Sequence, residues 1–144
     1  MIDLQPAIRS VILNDVNIIG SFPAYQGSKP IFTRRPVPTD APYPMIMISQ
    51  PIANPQNDFV DCDRRTFTYD IAVYGLNDNS TNYRFVETTA NKIAKKFHRL
   101  KPYEISLPVG SSLIQSSTIG PLSAVVDDQN KVGRVVILNL EVTF

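Results

Sequence analysis

The segment Arg134-Val135-Val136-Ile137-Leu138-Asn139-Leu140-Glu141-Val142-Thr143-Phe144 carries an almost unbroken apolar face at period two, with Val136, Leu138, Leu140 and Val142 on it. Alternation at that period marks a strand with one face in a core. Such a strand needs paired neighbours, and its apolar face needs a covering layer, so the segment commits the chain to a sheet with something packed upon it. A second run repeats the pattern. From Arg65 to Tyr74, Phe67, Tyr69, Ile71 and Val73 fall on one side, and Thr66, Thr68, Asp70 and Ala72 on the other.

The covering layer is legible where the period changes to 3.6. Val86, Ala90, Ile93, Phe97 and Leu100 recur at steps of four and three, which predicts a helix from about Asn82 to Arg99, stopped by Pro102. Lys95, Lys96, His98 and Arg99 crowd its last turns, where the helix dipole favours positive charge. Leu4, Ala7, Ile8, Val11 and Ile12 predict a short amphipathic helix over Leu4 to Leu13, with Asp3 as its cap and Pro6 tolerable in the first turn. From Gly20 to Pro55, proline or glycine recurs every few residues and excludes long regular elements. Within that stretch Ala24-Tyr25-Gln26 and Ile31-Phe32-Thr33 read as short strands, and Met45-Ile46-Met47-Ile48-Ser49 as a more convincing one. The polar run Asn54 to Asp63 reads as a loop or a flexible hairpin tip. Glu104-Ile105-Ser106-Leu107 and Leu113 to Ile119 read as further strands. The fold class is therefore α+β, a mostly antiparallel sheet packed against two helices. At 144 residues the chain is expected to form one domain over residues 1–144, burying roughly 68% of the surface it exposes unfolded.

The inventory of reactive side chains is short. His98 is the single histidine; it has cationic neighbours and its nearest helical carboxylate, Glu87, lies three turns away, so a solvated or capping role is expected. Cys62, the single cysteine, cannot form an internal disulfide, and its flanking Asp61 and Asp63 oppose a thiolate. Asp58, Asp61 and Asp63 lack the glycine and terminal glutamate of a calcium loop. No glycine-rich loop follows a strand to cradle a phosphate. No catalytic residue, cofactor or metal is expected. The charge balance, 14 Lys plus Arg against 13 Asp plus Glu, lacks the field of a general duplex-DNA binder. No apolar segment approaches the roughly 20 residues that span a bilayer, so no membrane partner is expected and a cytoplasmic site of synthesis is. What stands out instead is charge collected on separate segments: basic at Lys29, Arg34 and Arg35 and along the second helix, acidic at Asp58 to Asp63 and Asp127-Asp128. That layout suits head-to-tail contacts between identical subunits.

Over nearly its whole length the chain resembles the small tail-completion, or tail terminator, proteins of long-tailed bacteriophages and phage-like particles. The resemblance rests on the N-terminal helix Asp3 to Leu13, the entry Pro42-Tyr43-Pro44 into Met45-Ile46-Met47-Ile48, the strand Phe67 to Tyr74, the helix with Ala90, Ile93 and Leu100, and the closing strand Val135 to Phe144. The chain departs from the family pattern in its proline-rich run Pro30 to Pro44 and in lacking a tryptophan in the 66–74 strand. The resemblance implies a virion structural protein of the neck region, assembled in the host cytoplasm. It implies a hexameric ring that caps the tail tube, stops its elongation and provides the head–tail joining surface. The implied partners are further copies of the chain, the major tail tube protein and a head–tail connector or stopper protein, with DNA passing through the lumen unread. A head-completion adaptor or other minor tail protein is the alternative. Subunit or tube contacts are expected from the two polar loops, with Arg34 and Arg35 pairing with Asp58, Asp61 or Asp63 of a neighbour and Phe32 and Phe59 as affinity anchors.

Overall fold

The computed structural model describes residues 3–59, 62–77, 80–124, 126 and 130–144, without the side chains of 52–59, 62, 63 and 80. The described elements run in the order α1 (Gln5–Leu13), α2 (Val16–Ile19), β1 (Ile31–Phe32), β2 (Met45–Ile48), β3 (Ile52–Phe59), β4 (Cys62–Leu76), α3 (Ser80–Phe97), β5 (Ser112–Ser123) and β6 (Lys131–Thr143), with a 3-10 turn at Pro102–Glu104. The strands form one sheet in the order β1-β2-β4-β6-β5, with β3 paired to β4 beyond the end of β2. All pairings are antiparallel except β1 with β2. The α+β class and the mostly antiparallel sheet are as the periodicities predict.

The inner face of the sheet is the one predicted from alternation. Phe67, Tyr69, Ile71 and Val73 of β4 and Val136, Leu138, Leu140 and Val142 of β6 are fully buried. The register pairs Phe67 with Leu140, Tyr69 with Leu138 and Ile71 with Val136, so the two apolar rows interlock across one ladder. Val86, Ala90, Ile93 and Phe97 of α3 and Leu4, Ile8 and Ile12 of the first helix and its cap close over them. Gly75 allows a close approach of helix to sheet: a Cβ there would stand 2.5 Å from Val86 Cγ2.

Several local expectations are corrected. Among the described residues the helical layer holds three helices, since α2 follows α1 directly; the Asp15 carboxylate accepts from the Asn17 N–H at 3.0 Å, and Ile18 and Ile19 are buried. Asn54 to Asp63 is largely strand. β4 outruns β2, and its spare backbone pairs with β3 despite the polar composition, while Pro55 is tolerable on an edge. Glu104 to Leu107 is not a strand: Pro102 turns the chain into the 3-10 turn and Ile105 is buried. Tyr25 makes only a two-residue bridge with Ser28, closing a turn. β5 continues past Ile119 through Gly120-Pro121 by a register shift between Ile119 and Leu122.

Candidate interaction surface

The outer face of the sheet is divided in composition. Towards the Cys62 end it is polar, where Arg64 pairs with Glu141 at 2.8 Å and the Thr68 hydroxyl donates to Asn139 Oδ1 at 2.7 Å. Towards the other end it is apolar. The register places Met47, Ala72, Val135 and Leu122 in one row across four strands, and Met45 beside Tyr74 in the next. Gly133 faces Tyr74, and a Cβ there would meet the ring carbons at 2.9 Å, so the glycine lets the ring lie close over β6.

The proline-rich segment from Thr33 to Pro44 passes over this apolar end. Its prolines deny it ladder hydrogen bonds, and it leaves an open hollow of about 580 Å³ against the sheet. Met45, Met47 and Tyr74 line the hollow with Val37 and Tyr43, and Arg35 stands at its rim. The Lys131 ammonium, 5.0 Å from the centre of the Tyr43 ring, steadies that wall. Met45 and Met47 are buried yet lie outside the main core cluster, so they form a second, shallow apolar site. The sequence signal for it was present in Met45-Ile46-Met47-Ile48. Two flexible thioethers alternate there with two branched side chains, a pattern suited to an adaptable face on one side and a fixed one on the other.

The sequence-predicted contact residues are dispersed. Phe32 is half-buried, edge-on to Tyr25 with ring centres 5.5 Å apart. Arg34 and Arg35 are exposed, and only Arg35 reaches the hollow. Asp61 lies outside the described residues, as do Asp127 and Asp128 and the side chains of Asp58, Phe59 and Asp63. The backbone pairs Phe59 with Cys62 at the opposite end of β4 from Tyr74.

The basic face of α3 is partly structural. Lys96 reaches Asp15 at 3.6 Å, Lys92 donates to the Asn17 carbonyl at 3.1 Å, and Glu87 receives Arg134 at 3.2 Å. Arg84, Lys95 and Arg99 are exposed. His98 acts at the helix end, where its Nδ1 accepts the Thr118 N–H at 3.4 Å. Beside it Ser116, unremarked in the sequence, donates its hydroxyl to the Phe97 carbonyl and accepts the Leu100 N–H, both at 2.7 Å. Among the described residues no group of three or more His, Cys, Asp or Glu is placed to hold a metal ion, and no helix is long and apolar enough to cross a membrane.

No protein-family model matches the chain, and no curated protein matches it in sequence. In three dimensions it is similar to a chain of the structure described as "Virion of native gene transfer agent (GTA) particle". The TM-score is 0.70 at 12% identity, over 98% of this chain and 95% of that one. At that identity the likeness is one of fold.

Proposed function

We propose that the protein is a structural component of a phage-like particle: a ring of identical subunits that caps the tail tube, stops its elongation and presents the surface to which the head is joined. The observation that carries this reading is the end-to-end likeness of fold to a chain of a gene-transfer-agent virion. The resemblance in element order and hydrophobic pattern to tail-completion proteins supports it as well. A stopper needs one face complementary to the last ring of the tube and another that refuses a further ring, a task of shape and charge rather than chemistry. Six copies of the 144-residue domain, meeting the tube on one side and a connector or stopper protein on the other, fit that task; the near-balanced charge suits a lumen through which DNA slides without tight phosphate contacts. Phe32, Arg34 and Arg35 from one segment, and Asp58, Phe59, Asp61 and Asp63 from the other, supply the contacts between subunits or to the tube.

The test is assembly of particles with and without the chain. Without it, tubes should over-extend to irregular lengths and carry no heads; with it, images of tube ends should show a sixfold ring. Reversing both Arg34 and Arg35 to Glu should leave the monomer folded and reduce capped tubes at least tenfold. Tails of uniform length lacking only heads would move the role to a head-completion adaptor. Uniform tails with heads attached would overturn the reading.

A further inference from the structure

Resting on the ring reading for where DNA is met, we infer that the cationic ridge from Lys92 to Lys101, at the end of α3 and in the turn after it, is the surface that faces DNA in the lumen and holds it by sequence-independent contacts to phosphates.

The first observation is how the charge is divided. Between residues 84 and 101 six cations stand against Glu87 alone, while the rest of the chain carries eight cations against twelve carboxylates. The near balance of the whole chain therefore conceals a strongly basic segment on an acidic remainder. The second is what that segment shows to solvent. From Lys92 to Lys101 the exposed residues are Lys92, Lys95, His98, Arg99 and Lys101, every one of them basic. A protein partner is held mainly by apolar anchors at the centre of the contact, and the ridge offers none between these residues; a polyanion needs only the charge. Lys95 and Arg99 enter no ion pair among the described residues. Glu104, the first carboxylate after the ridge, accepts the Lys101 N–H at 3.1 Å.

The third observation is the supply of neutral donors beside the cations. An open groove of about 360 Å³ separates the helix end from β5, with His98, Arg99, Gln115 and Ser117 among its lining. Gln115 and Ser117 are exposed, and amides and hydroxyls of this kind join Lys and Arg on phosphate oxygens. Because His98 Nδ1 accepts the Thr118 N–H, the neutral ring carries its proton on Nε2, which adds another donor. The spacing also fits. Lys92, Lys95 and Arg99 follow at steps of three and four and span roughly 10 Å at ~1.5 Å per residue, a length over which one strand of a duplex presents about three phosphates. Phosphate contacts carry no sequence information, so DNA is centred without being read.

The free chain and a short labelled DNA duplex test the ridge without any tube. By fluorescence anisotropy at about 0.05 M salt, Lys95→Gln with Arg99→Gln and Lys101→Gln should weaken binding at least tenfold and lower the slope of log affinity against log salt by about one for each contact removed. Lys95→Arg with Arg99→Lys and Lys101→Arg should bind as the unsubstituted chain does. Position is read by photocrosslinking in a Cys62→Ser background. A benzophenone on Asn91→Cys, exposed on α3 beside the ridge, should capture the duplex, and one on Asp70→Cys, exposed on the outer face of the sheet, should not. No binding by the unsubstituted chain, binding indifferent to the glutamine variant once its folding is verified, or equal capture from both positions would overturn the ridge, and rings still seen on tube ends would then leave the ring reading standing. Loss of tube capping by the glutamine variant, with no DNA binding by the unsubstituted chain, would assign the ridge to an acidic protein surface and overturn the proposal. Tubes left uncapped by the unsubstituted chain, with DNA binding at the ridge intact, would overturn the ring reading alone.

Discussion

At the scale of single residues, the fold is held by a few polar groups that no periodicity reveals. Gln5 is buried, and its side-chain amide lies within reach of the carbonyls of Ile48 at 3.1 Å and Ser49 at 2.6 Å, tying α1 to the end of β2. Tyr69 was legible as a core residue from its place in an alternating strand, but not as the acceptor of the Leu4 N–H at 3.1 Å, a contact 65 positions apart in sequence. Burial pushes the Tyr69 hydroxyl up from 10.0 to about 12; the Leu4 N–H works against the shift and the Asp3 charge adds to it. Below pH 10 both folded and unfolded chains keep the proton and the contribution to stability is full. Between about 10 and about 12 the unfolded chain loses its proton first, so stability falls as pH rises. Tyr69→Phe should cost about 1 to 3 kcal/mol at neutral pH by orphaning the Leu4 N–H. In urea unfolding the gap between the two proteins should narrow from pH 9 to pH 12, and a gap independent of pH would refute the assignment.

At the scale of elements, strength of pattern decided what was readable. β4, β6, α1 and α3 each bury one face, and burial of one face imposes a period that survives in sequence. β3 escaped because its place follows from the spare backbone of β4 rather than from its own side chains, and α2 escaped because a single turn is too short to show a period. The end of α3 joins both cases: its stop at Pro102 was legible, but its capping by Ser116 and Thr118 of β5 was not, since the Thr118 hydroxyl reaches the Ala94 carbonyl at 2.9 Å across 24 positions. Phe97 sits at that end and is fully buried beneath the sheet. Phe97→Ala should cost about 3 to 5 kcal/mol in a denaturation series, the range for emptying a core aromatic site. A cost under about 1 kcal/mol would mean that the helix end packs differently.

At the scale of the whole molecule, the charges nearly cancel in sum and are collected on separate segments of the chain. Charges so arranged guide encounter more than they hold the complex. Ring assembly on tube ends, followed by light scattering or by counting capped ends, should therefore slow as ionic strength rises from about 0.01 M to about 1 M and the screening length shrinks from ~30 Å to ~3 Å. Dissociation should change far less if aromatic anchors carry the affinity; an association rate indifferent to salt would count against steering by these charges. The amino-acid sequence by itself determined the fold class, the inner faces of β4 and β6 and the core face of α3, because each is a local repeat with one side withdrawn from water. It also put the opposite charges on different segments. Only the tertiary structure decided that Met45 and Met47 turn away from the core to line a hollow under the proline-rich segment, and that Phe59 and Cys62 pair at the far end of β4 from Tyr74. Both depend on pairing register, in which residues far apart along the chain are set side by side, and register leaves no periodic trace in either partner.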